Sequence, residues 1–453
     1  MNRYRLRANY EIKNIDSRRV NGTVIVDVPM LSNGELNYGL NHVKGKLYKE
    51  DIYPTEIGFD IMSLATMVYL ADTRIERAIH GQDSWTREIE IELPVSNVEL
   101  WQTQIDTVER MLKFLTGDLW NVTVTSRSWQ FIDLEEVGEK SNKYDKVSLF
   151  SGGMDSLIST INLMENKRNT LLISHAGEGL TKNAQKNIVD KFDLLYPDVL
   201  HTWLDLWMVF PNNYIPEGGN DNNTRSRSFL FIGYAVFAMT GMDNIRELLV
   251  PENGLIALNV PLDETRIGSF STRTTHPFYL SLWNELLRGL GVDISVKNPY
   301  WNKTKGEMAA ECKNKNVLYE TMKLSFSCSS PGKARWKKLS PQHCGYCVPC
   351  LIRRAAMYKA FKNDGTVYTE TSIYEMQNKN SEGIGIQLRS FQYAIDKIKQ
   401  DSSRALLYIH KPGPLPQDDE YLQELADIYV RGLFEVDNFI QNNLSEEGSN
   451  NDL

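Results

Sequence analysis

Long apolar runs are missing from this chain. The longest, Phe229 to Met242, falls short of a membrane span and suits a buried core helix. Cysteine is scarce. Five in 453 residues cannot staple a chain of this length, which excludes a disulfide scaffold. Four of the five crowd into one late segment, as expected of a metal site in a reducing compartment. No excess of positive charge exists either. The formal net charge is −8, which argues against nucleic acid as the primary substrate but leaves room for a local basic patch. The segment Met1 to Asn14 is studded with arginine and polar residues and lacks the apolar stretch of a signal peptide. No internal repeat recurs. These absences predict a cytoplasmic enzyme or adaptor without a membrane anchor. What is present is an ordinary globular complement, 42% hydrophobic and 24% charged, on a chain long enough for two or three cored domains.

Patterning separates the chain into regions. In residues 1–145 the alternations Tyr4-Leu6-Ala8-Tyr10, Val24-Val26-Val28, Ile89-Ile91-Leu93 and Val122-Val124 predict half-buried strands. Apolar residues at three- and four-residue steps predict helices around Ile61 to Ala78 and Val98 to Leu115, so this region reads as an α+β domain without a catalytic motif. Residues 146–364 alternate strand and helix, with strands at Val147–Phe150, Thr170–Ser174, Val199–Trp203, Leu248–Val250 and Val292–Val296. That alternation predicts an α/β fold with a parallel sheet, whose ligands sit at the carboxyl ends of the strands. Residues 365–441 read as helices broken at Pro412, Pro414 and Pro416, and 442–453 as a polar, disordered tail.

The strongest chemical signal is Val147-Ser148-Leu149-Phe150-Ser151-Gly152-Gly153-Met154-Asp155-Ser156. An apolar strand runs straight into Ser-Gly-Gly, and a helix opens directly after it. Two glycines let the backbone turn tightly and bring N–H groups against an anion. The helix start adds unpaired N–H donors and a partial positive charge. The Gly-Lys-Ser/Thr ending of a Walker loop is absent. The second signal is Cys328 followed, after a gap, by Cys344-x-x-Cys347-x-x-Cys350. Thiolates on a tight knuckle hold three tetrahedral corners and Cys328 closes the fourth, with the adjacent His343 a possible substitute ligand. Four sulfur ligands leave no open position, so the implied zinc is structural, and folding couples to metal binding. Cys312 lies in a helical pattern and reads as a core residue.

SGGMDS after a strand resembles the PP-loop of the ATP-pyrophosphatase family, enzymes that cleave ATP between its α and β phosphates. By that resemblance Ser151, Gly152, Gly153, Met154, Asp155 and Ser156 bind the departing pyrophosphate, with Asp155 acting through Mg²⁺. The stretch His343-Cys344-Gly345-Tyr346-Cys347-Val348-Pro349-Cys350, with Cys328 upstream, is similar to the zinc motif of the QueC-like (7-cyano-7-deazaguanine synthase-like) members. Arg227-Ser228 resembles a family segment in which an Arg-Asn pair opens a helix, departing from it at Ser228. Thr304-Lys305-Gly306-Glu307 resembles the family's Thr-Lys-x-Glu. The resemblance covers about residues 146–364 and implies a HUP-type parallel-sheet domain with a zinc knuckle. The added N- and C-terminal regions resemble the enlarged QueC-like proteins of bacterial anti-phage defence, the QatC-type subgroup. Pro251-Glu252-Asn253-Gly254-Leu255 and Ser271-Thr272-Arg273-Thr274-Thr275-His276-Pro277 point the same way.

The resemblance implies an ATP-dependent ligase that adenylates a 7-deazaguanine carboxylate and couples it to nitrogen, with Asp155, Arg227 and Lys305 as its catalytic side chains. The nitrogen is that of ammonia or, in the defence-associated subgroup, an amine of a partner protein from the same operon. The family's Tyr-Pro-Asp-Cys substrate segment is absent after Asn259, so Glu252, Asn253 and Arg273 are proposed as substrate contacts only from their place after predicted strands. The gap between Cys328 and Cys344 is longer than in the biosynthetic enzymes and holds Lys333, Arg335, Lys337 and Lys338. Two other readings compete: a PP-loop enzyme that modifies tRNA, which the acidic net charge fits poorly, and a non-catalytic ATP-binding scaffold of a defence complex.

Overall fold

The computed structural model describes residues 3–134, 138–140, 142–176, 179–221, 225–264, 273–379 and 383–451. The alternating segments and Asp16–Val20, a strand the pattern did not announce, form a five-stranded sheet of β1 (Arg3–Asn9), β2 (Asp16–Val20), β3 (Thr23–Pro29), β4 (Glu88–Val95) and β5 (Leu119–Ser126), in the order β2-β3-β1-β4-β5. Only the edge strand β2 runs antiparallel to its neighbour; the other pairings are parallel. Along β4 every second residue is buried, so one face of the sheet enters the core. Cross-strand ion pairs cover the other face, Arg5 with Glu90 at 2.6 Å and Arg7 with Asp27 at 2.7 Å. The first expected helix is α1 (Glu56–Arg74). The second is interrupted at Thr103 and Gln104, leaving a short helix Val98–Gln102 ahead of α2 (Ile105–Thr116).

The central region builds a second sheet from β6 (Lys146–Leu149), β7 (Thr170–His175), β8 (His201–Leu206), β9 (Glu247–Leu249) and β10 (Ser295–Lys297). All its pairings are parallel, in the order β8-β7-β6-β9-β10. The expected strands are all present, with β8 and β10 starting two to three residues later than the pattern suggested. Alternate residues serve opposite faces. Val147, Leu149, Leu171 and Ile173 join a core that includes the first sheet, α1 and α5 (Arg227–Met239), so the N-terminal region and the central sheet share one interior. Phe150 and Leu172 join a separate core on the other face with α3 (Met154–Glu165) and α4 (Gly179–Leu195), and it contains Cys312 as expected. The strand order reverses between β6 and β9. In sheets of this kind that switch point opens a crevice beyond the strand ends.

The chain then adds α6 (Pro277–Gly289), α7 (Lys305–Ala310), α8 (Val348–Phe361), α9 (Gly383–Gln400) and α10 (Asp419–Asn451). A third core unites Cys344, Cys347 and Cys350 with Leu388, Phe391, Leu425 and Leu433, and with Leu255 of the short helix Gly254–Leu258. Helices beyond residue 364 are thus packed onto the cysteine knuckle and the crevice. One expectation needs correction: α10 continues to Asn451, through most of the segment read as a disordered tail. Its apolar stripe is anchored as far as Leu444, and each further helical residue adds a hydrogen bond to an existing nucleus. Asn442, Asn443 and Ser445 turn their side chains back onto carbonyls of Asn438, Phe439 and Asn442. No described helix is long and apolar enough to cross a membrane.

Candidate active site and metal centre

The glycine loop connects β6 to α3 at the switch point. Gly152 takes φ 79°, and a Cβ there would lie 2.9 Å from Cγ of Gln185. Gly153 has φ −84° and no neighbour closer than 3.4 Å to such a Cβ. Gly152→Ala is therefore expected to destabilise the protein by about 1–2 kcal/mol, the cost of a left-handed non-glycine residue. Gly153→Ala is expected to cost less, and denaturant unfolding of the two variants checks the order. The loop is braced from within. Gly153 N donates to Ser151 Oγ at 3.3 Å, Ser156 Oγ donates to the Gly153 carbonyl at 3.0 Å, and the two serine hydroxyls stand 3.2 Å apart. From outside, Phe326 N donates to the Gly152 carbonyl at 2.8 Å, and Gln185 Nε2 to the Ser151 carbonyl at 3.2 Å.

Asp155, in the first turn of α3, is the hub. Its Oδ1 pairs with Lys305 Nζ at 2.9 Å, and its Oδ2 accepts from Asn253 N at 3.2 Å and Asn253 Nδ2 at 2.8 Å. All three residues are less than one-tenth exposed. The structure thus joins the loop after β6, the turn after β9 and the start of α7. Asn253 also caps the helix Gly254–Leu258, its Oδ1 accepting from Ile256 N at 3.2 Å. A buried ammonium facing a buried carboxylate is favourable only when both are held in place, and the positioning of Lys305 is unusually complete. Thr304 and Glu307 form a capping box around it. Glu435 of α10 accepts from Gly306 N at 2.7 Å and from the Thr304 hydroxyl, and is itself paired with Lys359 at 3.1 Å. Arg431 of the same helix pairs with Glu307.

Glu252 is tied to Asn298, whose Nδ2 donates to the Glu252 carbonyl at 2.7 Å, and its carboxylate accepts from the Thr275 hydroxyl. Burial and then the Asp155 charge push the Glu252 carboxyl up to about 7, against the opposing Thr275 hydrogen bond and Lys305 charge. The protonated form is thus favoured in the folded protein. Stability from this group is greatest below its ordinary value of 4.5 and declines as pH rises toward 7. Glu252→Gln is expected to flatten that part of the stability profile, read as thermal midpoints between about pH 4.5 and 7.

Arg227 opens α5, as expected, and its Nη2 donates to the His175 carbonyl at 3.1 Å. Gln185 Nε2 reaches the same carbonyl at 3.4 Å, so Arg227 and the loop are linked through one glutamine. Burial and the Arg227 charge push the His175 imidazole down to about 3. The start of α5 is held by the N-terminal region: Asp72 of α1 accepts from Ser226 N at 2.8 Å and Ser226 Oγ at 2.9 Å. Arg273, in contrast, donates to the Phe114 carbonyl at 2.6 Å and lies over the Phe114 ring, with burial and then Arg225 lowering it to about 10. It faces α2 rather than the Asp155 hub. Ser271 and Thr272 lie outside the described residues.

The four cysteine sulfurs lie within 4.8 Å of one another, with Cys328–Cys347 and Cys344–Cys350 each 3.9 Å apart. A tetrahedral zinc with bonds of about 2.3 Å requires sulfur–sulfur edges of about 3.8 Å, so the donor set fits that ion. Backbone N–H groups of Ser330 and Cys344 donate to Cys328 Sγ, and that of Cys347 to Cys344 Sγ, each at 3.3 Å. Such donors stabilise thiolate charge. Gly345 makes the turn possible, with φ 90° and a hypothetical Cβ 2.0 Å from the Glu370 carbonyl. His343 stands outside the sulfur group; its Nε2 accepts from Ser327 N at 3.5 Å. Gln185 and Glu435 are site residues that pattern reasoning missed. Glu435 meets Gly306 across 129 residues, a pairing no local signal announces. No protein-family profile matches this chain, and neither does any curated protein sequence.

Proposed function

We propose that this chain activates a carboxylate with ATP, in a reaction that releases pyrophosphate and then AMP, and couples it to nitrogen. The observation that carries the reading is the SGGMDS turn at the switch point of an all-parallel sheet, with Asp155 clamped between Lys305 and Asn253. The resemblance to QueC-like enzymes supplies the substrate class, a 7-deazaguanine carboxylate, and its QatC-type subgroup supplies the setting, anti-phage defence with a partner-protein amine as acceptor.

The chemistry follows from the leaving group. A carboxylate oxygen attacks the α phosphorus and displaces pyrophosphate, giving an acyl adenylate. An amine nitrogen then attacks the carbonyl carbon, the C–O bond to AMP breaks, and the amide forms with loss of a proton. The N–H groups at the start of α3 and the Ser151 and Ser156 hydroxyls bind the pyrophosphate end, where negative charge accumulates. Lys305 and Arg227 supply positive charge to balance it. A Mg²⁺ ion bound with the nucleotide would neutralise phosphate charge, and Asp155, beside Lys305, is the residue that would hold it. Glu252 is assigned to the acid being activated, while Asn253, whose amide is committed to Asp155 and Ile256 N, positions Asp155 instead of contacting substrate. The zinc knuckle, closed by four sulfurs, holds Phe326 and Ser327 against the loop and takes no part in the chemistry.

The test is mass spectrometry of purified, zinc-loaded protein with ATP, Mg²⁺ and 7-carboxy-7-deazaguanine, with and without ammonium. AMP together with an amide, nitrile or trapped adenylate is expected. ATP binding without AMP in both conditions, and also with the co-encoded proteins present, would instead favour a nucleotide-binding scaffold.

A further inference from the structure

The loop between Cys328 and Cys344 carries the most exposed large apolar side chain among the described residues, Trp336, 82% exposed. Leu339, 42% exposed, follows three residues later, and Val367, 69% exposed, is two residues from the Thr369 carbonyl that Lys337 Nζ reaches at 3.3 Å. The loop is nevertheless well built. A 3₁₀ helix, Pro331–Lys337, is pinned by the fully buried Ala334 and closed by Lys338 N donating to the Arg335 carbonyl at 2.9 Å. At its start, Ser330 N donates to Cys328 Sγ at 3.3 Å. A hydrogen-bonded loop that holds an indole out into water is costly unless something covers it.

The surrounding charge indicates what that is. Lys333, Arg335, Lys337 and Lys338 cluster here on a chain whose net charge is −8. Lys337 pairs with Glu370 at 2.9 Å. Among the described residues no carboxylate lies within ion-pair distance of Lys333, Arg335 or Lys338. The location matters too. Phe326 and Ser327, just ahead of Cys328, lie on the glycines of the phosphate loop, Phe326 N bonded to the Gly152 carbonyl at 2.8 Å. The basic loop therefore begins within a few residues of the segment that touches the phosphate loop.

We propose that this loop is a docking surface for an acidic polypeptide segment bearing one large apolar side chain, which packs on Trp336 while its carboxylates meet Lys333, Arg335 and Lys338. Tryptophan and arginine are the side chains around which protein interfaces concentrate their binding energy. A nucleic acid fits less well. Its binding grows with the number of phosphates neutralised along a tract, and three cations on one short loop of an acidic chain offer no such tract. The proposal draws on the reaction above only in that a segment docked here presents its amine near the loop, and the test is run without nucleotide.

Full-length, zinc-loaded protein is used to select from a displayed random-peptide library, and the consensus peptide is synthesised and titrated by fluorescence anisotropy. The expected consensus is acidic with an aromatic or aliphatic anchor. Its binding should weaken with added salt and fall at least about tenfold in Trp336→Ala and in Arg335→Glu, with thermal midpoints unchanged because both side chains point to solvent. A consensus of another charge, or equal binding to Trp336→Ala, overturns the proposal. So does an oligothymidylate or single-stranded RNA that binds more tightly than the peptide and is lost in the same variants. Absent AMP formation with peptide binding intact would overturn the reaction and leave the surface standing.

Discussion

Asp155→Asn is expected to reduce AMP formation by about 10²–10³-fold, the scale on which a single preorganised electrostatic contact acts at a phosphate or oxyanion site. The change is nearly isosteric, yet it removes the charge opposite Lys305 and leaves that ammonium buried without its counter-ion. Lys305→Met breaks the pair from the other side and is expected to lose a similar factor. Because the two side chains work as a unit, the double variant should be little worse than either single one. Breaking one half of a buried pair costs about 3–5 kcal/mol, so denaturant unfolding must accompany the AMP assay. A less stable but fully active Lys305→Met protein would remove the clamp from the chemistry and make it a structural contact alone.

The second large effect concerns the metal. Purified protein is expected to carry about one zinc per chain, and Cys350→Ser to carry little. Structural zinc sites in small domains contribute about 10–16 kcal/mol to folding, which matches or exceeds the net stability of a typical domain, about 5–15 kcal/mol. Three of the ligands lie inside the core that joins α8, α9 and α10. Chelation should therefore unfold the C-terminal helices before the first sheet. Hydrogen exchange resolves the two, with protection lost over α8 to α10 and retained in β1, β3 and β4. Since Glu435 and Arg431 of α10 brace Thr304, Gly306 and Glu307 around Lys305, AMP formation should disappear with that protection. Retained activity after zinc loss would show that α10 is dispensable to the site.

Local pattern was enough to specify much of this protein. Period-two alternation located β1, β3, β4 and β5 of the first sheet but not the exposed edge strand β2, since the side-chain repeat of a strand is visible only where one face is buried. The succession of strand and helix patterns located the strands of the second. Ser-Gly-Gly ahead of Asp155 located the turn because few residues other than glycine adopt the φ of Gly152. Cys-x-x-Cys-x-x-Cys located the knuckle, whose ligands are fixed by spacing along a few residues, and Cys328 could be assigned as the fourth from the requirement of four. Thr304 to Glu307, singled out only by its resemblance to Thr-Lys-x-Glu, proved to be a capping box within one helical turn.

Tertiary structure decided the rest, for reasons that no window of sequence contains. Asn253 and Lys305 meet Asp155 because the strand order reverses between β6 and β9, and strand order is set by long-range pairing rather than by any strand's own composition. Arg273 looked equivalent to Asn253 in sequence, yet its guanidinium goes to the Phe114 carbonyl of the N-terminal region. The flanking regions read as additions, but Asp72 of α1 fixes the start of α5 and Glu435 of α10 fixes the start of α7. Those two buried carboxylates are separated from their partners by 154 and 129 residues, and both satisfy helix N-termini that would otherwise be left with orphan donors. Residue type and spacing determine which chemistry this chain carries; where apolar surfaces from distant segments found it favourable to pack determines which of those residues stand together.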